Sequence, residues 1–171
     1  MQIIKKILAL MLVAFCSAQS VVHAKKMVVN VPVLDVRYEP LADLSFKPSY
    51  PMLSRISGKL ETQLLYGDEV TVLDVSDPVW ATIETPQMYC DTAKNYELKP
   101  LWGYVLQKGL MTPPQEYQEN ATVSVLWAPV HQEPQADSPI VITFSYGTRV
   151  YVTEQIDSSW FKIRFLDGTY H

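Results

Sequence analysis

Apolar residues recur along this chain in short alternating runs, and two stretches of such runs are copies of one another. Residues 62–83 read TQLLYGDEVTVLDVSDPVWATI and residues 142–163 read ITFSYGTRVYVTEQIDSSWFKI. A shift of 80 residues lays Tyr66 on Tyr146, Gly67 on Gly147, Val70 on Val150, Val72 on Val152, Asp77 on Asp157, Trp80 on Trp160 and Ile83 on Ile163 without a gap. Ungapped matches at rare residue types mark an internal repeat. Within each copy a Tyr-Gly corner supplies the backbone freedom for a turn. Val70 and Val72, or Val150 and Val152, then share one face of a strand. A polar turn follows at Asp77-Pro78 or Asp157-Ser158-Ser159, and a further strand starts at Trp80 or Trp160. Short strands joined by polar turns predict a small β-barrel around each copy.

The surroundings of each copy extend this pattern. Residues 27–37 predict a first strand with Val29, Val31 and Val33 on one face, and Pro32 places it towards a sheet edge. Residues 38–61 lose the alternation and predict a long loop, punctuated by Pro40, Pro48, Pro51 and Gly58. Loops of that length in a small domain are often functional, and Leu44, Phe46, Tyr50, Met52 and Leu53 predict that this one folds back on the body. Residues 85–100 predict a second irregular stretch, 101–105 a short closing strand and 106–110 a helical turn. Residues 113–120, rich in Pro, Glu and Gln, predict a linker. The second unit opens at 121–130 and carries a shorter loop at 131–139. It ends in a tight Asp167-Gly168 turn. The expected domains are therefore 25–112 and 121–171. Nothing after Asp167-Gly168 matches Trp102-Gly103-Tyr104-Val105, so the second barrel is expected to lack its closing strand. A sheet without its last strand leaves backbone groups unpaired, which implies a shortened polypeptide or completion by another chain or domain.

The first 24 residues predict a signal peptide rather than fold. Lys5 and Lys6 precede an apolar run at residues 7–15, and Val22-His23-Ala24 offers small residues for cleavage. The run is short of the roughly 20 apolar residues of a membrane span, and Phe15 before Cys16 argues against a lipid anchor. The expected location is the periplasm or the extracellular space, with no membrane attachment after cleavage. The net charge of −4 becomes −6 once Lys5 and Lys6 are removed. Acidity with scattered cations disfavours nucleic acid as a partner. Cys90 is then the one remaining thiol, which excludes an internal disulfide.

Candidate chemistry is sparse. A Cys90 nucleophile needs a base within reach and an orienting group; His131 and the terminal His171 are the histidines left after cleavage. Two histidines and a cysteine at unrelated spacings predict no metal site, and no cofactor is expected. Aromatic residues offer a binding surface instead. Trp80 and Trp160 are expected to fill the barrels. Tyr38, Tyr50, Tyr66, Trp102, Tyr104, Trp127 and Tyr146 are the candidate ligand contacts, with Arg37 and Glu39 placed to meet the charged ends of a peptide.

Three segments resemble the bacterial SH3-like (SH3b) domains that precede the catalytic domain of NlpC-type cell-wall peptidases. They are Val33-Leu34-Asp35-Val36-Arg37-Tyr38-Glu39-Pro40, Glu61-Thr62-Gln63-Leu64-Leu65-Tyr66-Gly67-Asp68-Glu69-Val70, and Trp80 with Trp102-Gly103-Tyr104-Val105. The resemblance covers residues 27–110 well and 121–168 loosely. It implies an all-β fold of two tandem small SH3-like barrels, the second lacking its closing strand. It also implies a non-catalytic targeting and substrate-positioning role, with a peptidoglycan stem peptide or glycan as partner. In that family a papain-like domain using Cys and His cuts γ-D-glutamyl bonds. No motif of that domain occurs here, so a missing C-terminal catalytic domain is a further expected partner. The alternatives are a free-standing periplasmic module for peptidoglycan or an envelope protein, and a thiol hydrolase acting through Cys90.

Overall fold

The computed structural model of the chain describes residues 24–40, 60–91 and 97–171, and the side chains of all of these except 87–91 and 97–98. The expected signal peptide up to residue 23, residues 41–59 of the expected loop, including Tyr50, and the Cys90 side chain lie outside that description. The described architecture is all-β, with a single 3-10 turn and no α-helix.

The run expected as one first strand is two. β1 (Lys25–Val29) and β2 (Val33–Arg37) are separated by a bend at Val31-Pro32. Pro32 has no N–H to give a ladder, but its carbonyl accepts the Tyr66 N–H at 3.3 Å. The bend lets one apolar run serve two places in the sheet. β1 pairs with β4 (Glu69–Asp74) and β7 (Leu110–Met111), whereas β2 pairs with β3 (Leu60–Leu65) and β6 (Glu97–Leu106). Residues 85–100, expected to be irregular, are mostly strand. β5 (Trp80–Asp91) pairs antiparallel with β6 over most of its length, and an irregularity between Glu84 and Met88 takes up Pro86. The expected helical turn is a 3-10 turn at Gln107–Gly109.

The first unit is thus one seven-stranded sheet in the order β3-β2-β6-β5-β4-β1-β7. Its outermost strands, β3 and β7, do not pair, so the sheet wraps without closing as a barrel. Its core is the inward side of the alternation: Val36, Leu64, Val70, Val72, Ile83 and Val105.

The second unit repeats the plan in shorter strands. β8 (Ala121–Thr122) and β9 (Trp127–His131) replace the single strand expected at 121–130. β10 (Ile140–Ser145), β11 (Arg149–Gln155) and β12 (Phe161–Arg164) follow. The correspondence reaches individual hydrogen bonds. Gly67 and Gly147 both sit at φ 88°, the left-handed region that glycine tolerates. Their N–H groups bond to the Val29 and Val123 carbonyls, each at 2.9 Å. Asp77 and Asp157 each accept the N–H of the following tryptophan at 2.9 Å.

One connection differs. In the first unit β6 joins β2 to β5; in the second, β10-β9 and β12-β11-β8 are separate sheets. The counterpart of β6 is present only as its beginning. After the turn at Asp167-Gly168 the chain folds back, Arg164 bridging to Tyr170 and Ile163 exchanging backbone bonds of 2.7 and 3.0 Å with His171. The closing strand is therefore started, which sequence reasoning missed because three residues carry no alternation. Ile83, the match of Ile163, pairs with Gly103. His171 consequently stands at the register of Gly103.

Candidate functional site

Tyr66, a candidate ligand contact, belongs to the core between the units. It leaves β3 at the Tyr-Gly corner and projects into the second unit, where it is 5% exposed. Its ring lies 4.9 Å from Phe144 and 6.1 Å from Phe165, and its hydroxyl accepts the Leu166 N–H at 2.7 Å. Burial pushes its ionisation well above that of an ordinary phenol. A ligand in solvent cannot reach it. Its copy Tyr146 is 65% exposed, since no third unit covers that corner among the described residues.

Beside this junction lies a cleft of about 740 Å³ lined by Asp68, Glu69, Tyr117, Glu119 and Arg149. Arg149 binds Glu119 at 3.2 Å and approaches Asp68 at 3.8 Å, tying the second unit to the linker and to the first corner. Burial pushes the Tyr117 phenol up to about 12. Burial also raises the Glu119 carboxyl above its ordinary value; Arg149 opposes this and Asp68 and Glu69 add to it. An acid raised on folding binds its proton more tightly in the native state, so Glu119 weakens folding as pH climbs through and above the ordinary glutamate range. Glu119→Gln is expected to remove a loss of urea midpoint that sets in above about pH 4; an unchanged profile would contradict this assignment.

The remaining first-unit candidates converge on β2 and β6. Arg37 is opposite Tyr104 in the ladder, but its side chain is buried and paired with Asp35, whose other oxygen accepts from Gln63 Nε2 at 2.9 Å. Arg37 therefore supports the strand pair and does not face a ligand, a correction to its expected role. Trp102 is 53% exposed and meets Tyr104 edge-on, with ring centres 6.4 Å apart and planes at 74°. Tyr38 and Glu39 follow β2 on the surface. Trp102 and Tyr104 form a pair of rings on β6, a surface suited to sugar faces or short peptides.

A second surface was not anticipated as a site. Where β9 and β12 part, a groove of about 710 Å³ opens over Phe144, Val150 and Ile163. Trp127, another candidate contact, is 68% exposed on its rim. Trp160 does not fill a closed barrel here; it is half-buried in the wall, edge-on to His131 at 5.4 Å. The His131 Nδ1 lies 2.8 Å from the Ser138 carbonyl, which can only accept, so that nitrogen carries the proton. That leaves Nε2 as the acceptor of the ring. Among the described residues no three His, Cys, Asp or Glu side chains cluster as metal ligands.

No protein-family model matches this chain, and no curated protein does. Solved structures do. An NlpC/P60 family protein from Bacillus cereus ATCC 10987 superposes with a TM-score of 0.61 at 20% identity, over 85% of this chain and 53% of that protein. What is shared is the fold. NlpC1 and NlpC2 of Trichomonas vaginalis align over 90% and 89% of the chain at 13% and 14% identity, and their TM-scores of 0.29 and 0.28 carry no weight. The chain spans about half the length of each of these proteins.

Proposed function

We propose that this chain is the non-catalytic, substrate-positioning and envelope-targeting part of an NlpC-type peptidase acting on peptidoglycan stem peptides, with the catalytic domain on further polypeptide. The observation that carries the proposal is the superposition on an NlpC/P60 protein, over most of this chain and about half of that one. The chain's own chemistry is compatible. Its described surface offers exposed aromatic residues. Tyr38, Glu39, Trp102 and Tyr104 make the ligand face, and Trp127 and Tyr146 extend the exposed aromatic surface into the second unit. The polypeptide is exported, and works in the periplasm or outside the cell on stem peptide or glycan.

The test is co-sedimentation with insoluble peptidoglycan. A stacking platform contributes about 0.5–1.5 kcal/mol per ring beyond area burial, so Trp102→Ala is expected to weaken binding roughly three- to tenfold. Failure of the unaltered chain to sediment, or equal binding by Trp102→Ala, would refute the positioning role.

A further inference from the structure

We propose that the groove between β9 and β12 seats a strand and 3-10 turn that continue from His171 in a longer form of this polypeptide. The first unit gives the template. There Tyr104, Val105 and Leu106 pair with Thr82, Ala81 and Trp80. Val105 is fully buried, and after the turn Leu110–Met111 pairs with β1. In the second unit the matching positions on β12 are Lys162, Phe161 and Trp160. Among the described residues these meet no strand on the groove side, and β8, the match of β1, pairs with β11 alone. Both vacancies lie where one segment of eight residues, the counterpart of 104–111, would fall.

The groove has the chemistry for it. Its floor is Phe144, Val150, Val152 and Ile163, the matches of the residues that Val105 seals in the first unit. Phe161, on the wall, is exposed, and Val130 is only half-buried where its match Val36 is fully buried. The direction is also set. Thr169–His171 already runs antiparallel to β12 and points along the groove, and the buried His171 Nδ1 has no hydrogen-bond partner. The occupant is therefore an extended segment with a β-branched residue at its second position and an apolar one at its third. A chain joined at His171 arrives in this register without paying the entropy of association. The inference rests on the reading that further polypeptide follows, but not on peptidoglycan binding, so a failed sedimentation assay leaves it standing.

The experiment appends Tyr-Val-Leu-Gln-Lys-Gly-Leu-Met, the sequence of 104–111, to the full chain. Two controls carry a scrambled extension and an extension with Asp in place of its Val; residues 1–171 are untouched in both. Each is made with His171 retained and with His171→Gly, since the same register in the first unit admits no side chain. The native extension is expected to slow amide exchange in Trp127–His131 and Phe161–Arg164 at least tenfold and to shift tryptophan emission to the blue, most strongly with glycine at 171. Equal exchange in native, scrambled and Asp forms would overturn the proposal. So would a concentration-dependent dimer of the unextended chain that already protects these strands, because the groove would then belong to a second copy.

Discussion

Tyr66→Ala is expected to cost about 3–5 kcal/mol and to split the unfolding of the chain into two steps. Tyr146→Ala, the same change at the repeat-related position, is expected to stay within about 0.5 kcal/mol. The residues are equivalent in sequence, and differ in what lies over them. Tyr66 stands between Phe144 and Phe165, with its hydroxyl on the Leu166 N–H, so truncation empties the shared core and orphans a buried donor. Tyr146 is exposed and loses little. Tyr66→Phe separates the two contributions: the ring stays, and the unsatisfied Leu166 N–H costs about 1–3 kcal/mol. Urea unfolding followed by tryptophan emission reads both quantities, since the units carry Trp80 and Trp102 on one side and Trp127 and Trp160 on the other. A single transition for Tyr66→Ala with a loss below about 1 kcal/mol would mean that the junction is held elsewhere, for instance by Arg149 with Glu119 and Asp68.

The same pair of tyrosines marks how far the sequence could be read. The repeat, the strands on either side of each Tyr-Gly corner and the aspartate turns were legible because they depend on neighbours a few residues away. The bend at Pro32 was not legible: the proline predicted a sheet edge, but β1 and β2 each pair on both sides, and that the Pro32 carbonyl meets Tyr66 depends on a contact 34 residues along the chain. The strand character of 85–100 was hidden by Pro86 and Pro100, the first within the irregularity between Glu84 and Met88 and the second paired with Met88 just beyond it. Arg37 read as a contact for a peptide's charged end because nothing local reveals that Gln63 and the β2–β6 ladder enclose its pair with Asp35. Tyr66 read as a ligand contact because its partners lie 78 to 100 residues away. Trp102 and Trp127 are exposed, and Tyr104 is half-buried within β6. The groove in the second unit was foreshadowed only as a missing strand, since a vacancy has no residues of its own.

Gly103→Ala is the second change with a large expected effect, about 1–3 kcal/mol for one added methyl group. A Cβ at Gly103 would lie 2.6 Å from Val36 Cγ1 and 2.7 Å from the Arg37 carbonyl oxygen. The first clash involves a fully buried side chain with no room to turn, and the second involves backbone that moves only if β2 moves. Val36→Ala in the same molecule should therefore relieve only part of the strain, leaving the double variant less stable than Val36→Ala alone. The exchange protection of β2 should fall while that of β4 and β5 holds, because the added carbon wedges β2 from β6 and touches neither of the others. A loss of less than about 0.5 kcal/mol, or equal loss of protection across the sheet, would exclude this close approach. The second unit provides the natural contrast. His171 occupies the same register, its ring packs on Phe165 at 4.9 Å, and β9 stands away from it as a separate sheet. His171→Gly in the unextended chain is accordingly expected to change little, because the neighbour that makes glycine necessary at 103 has not closed in at 171.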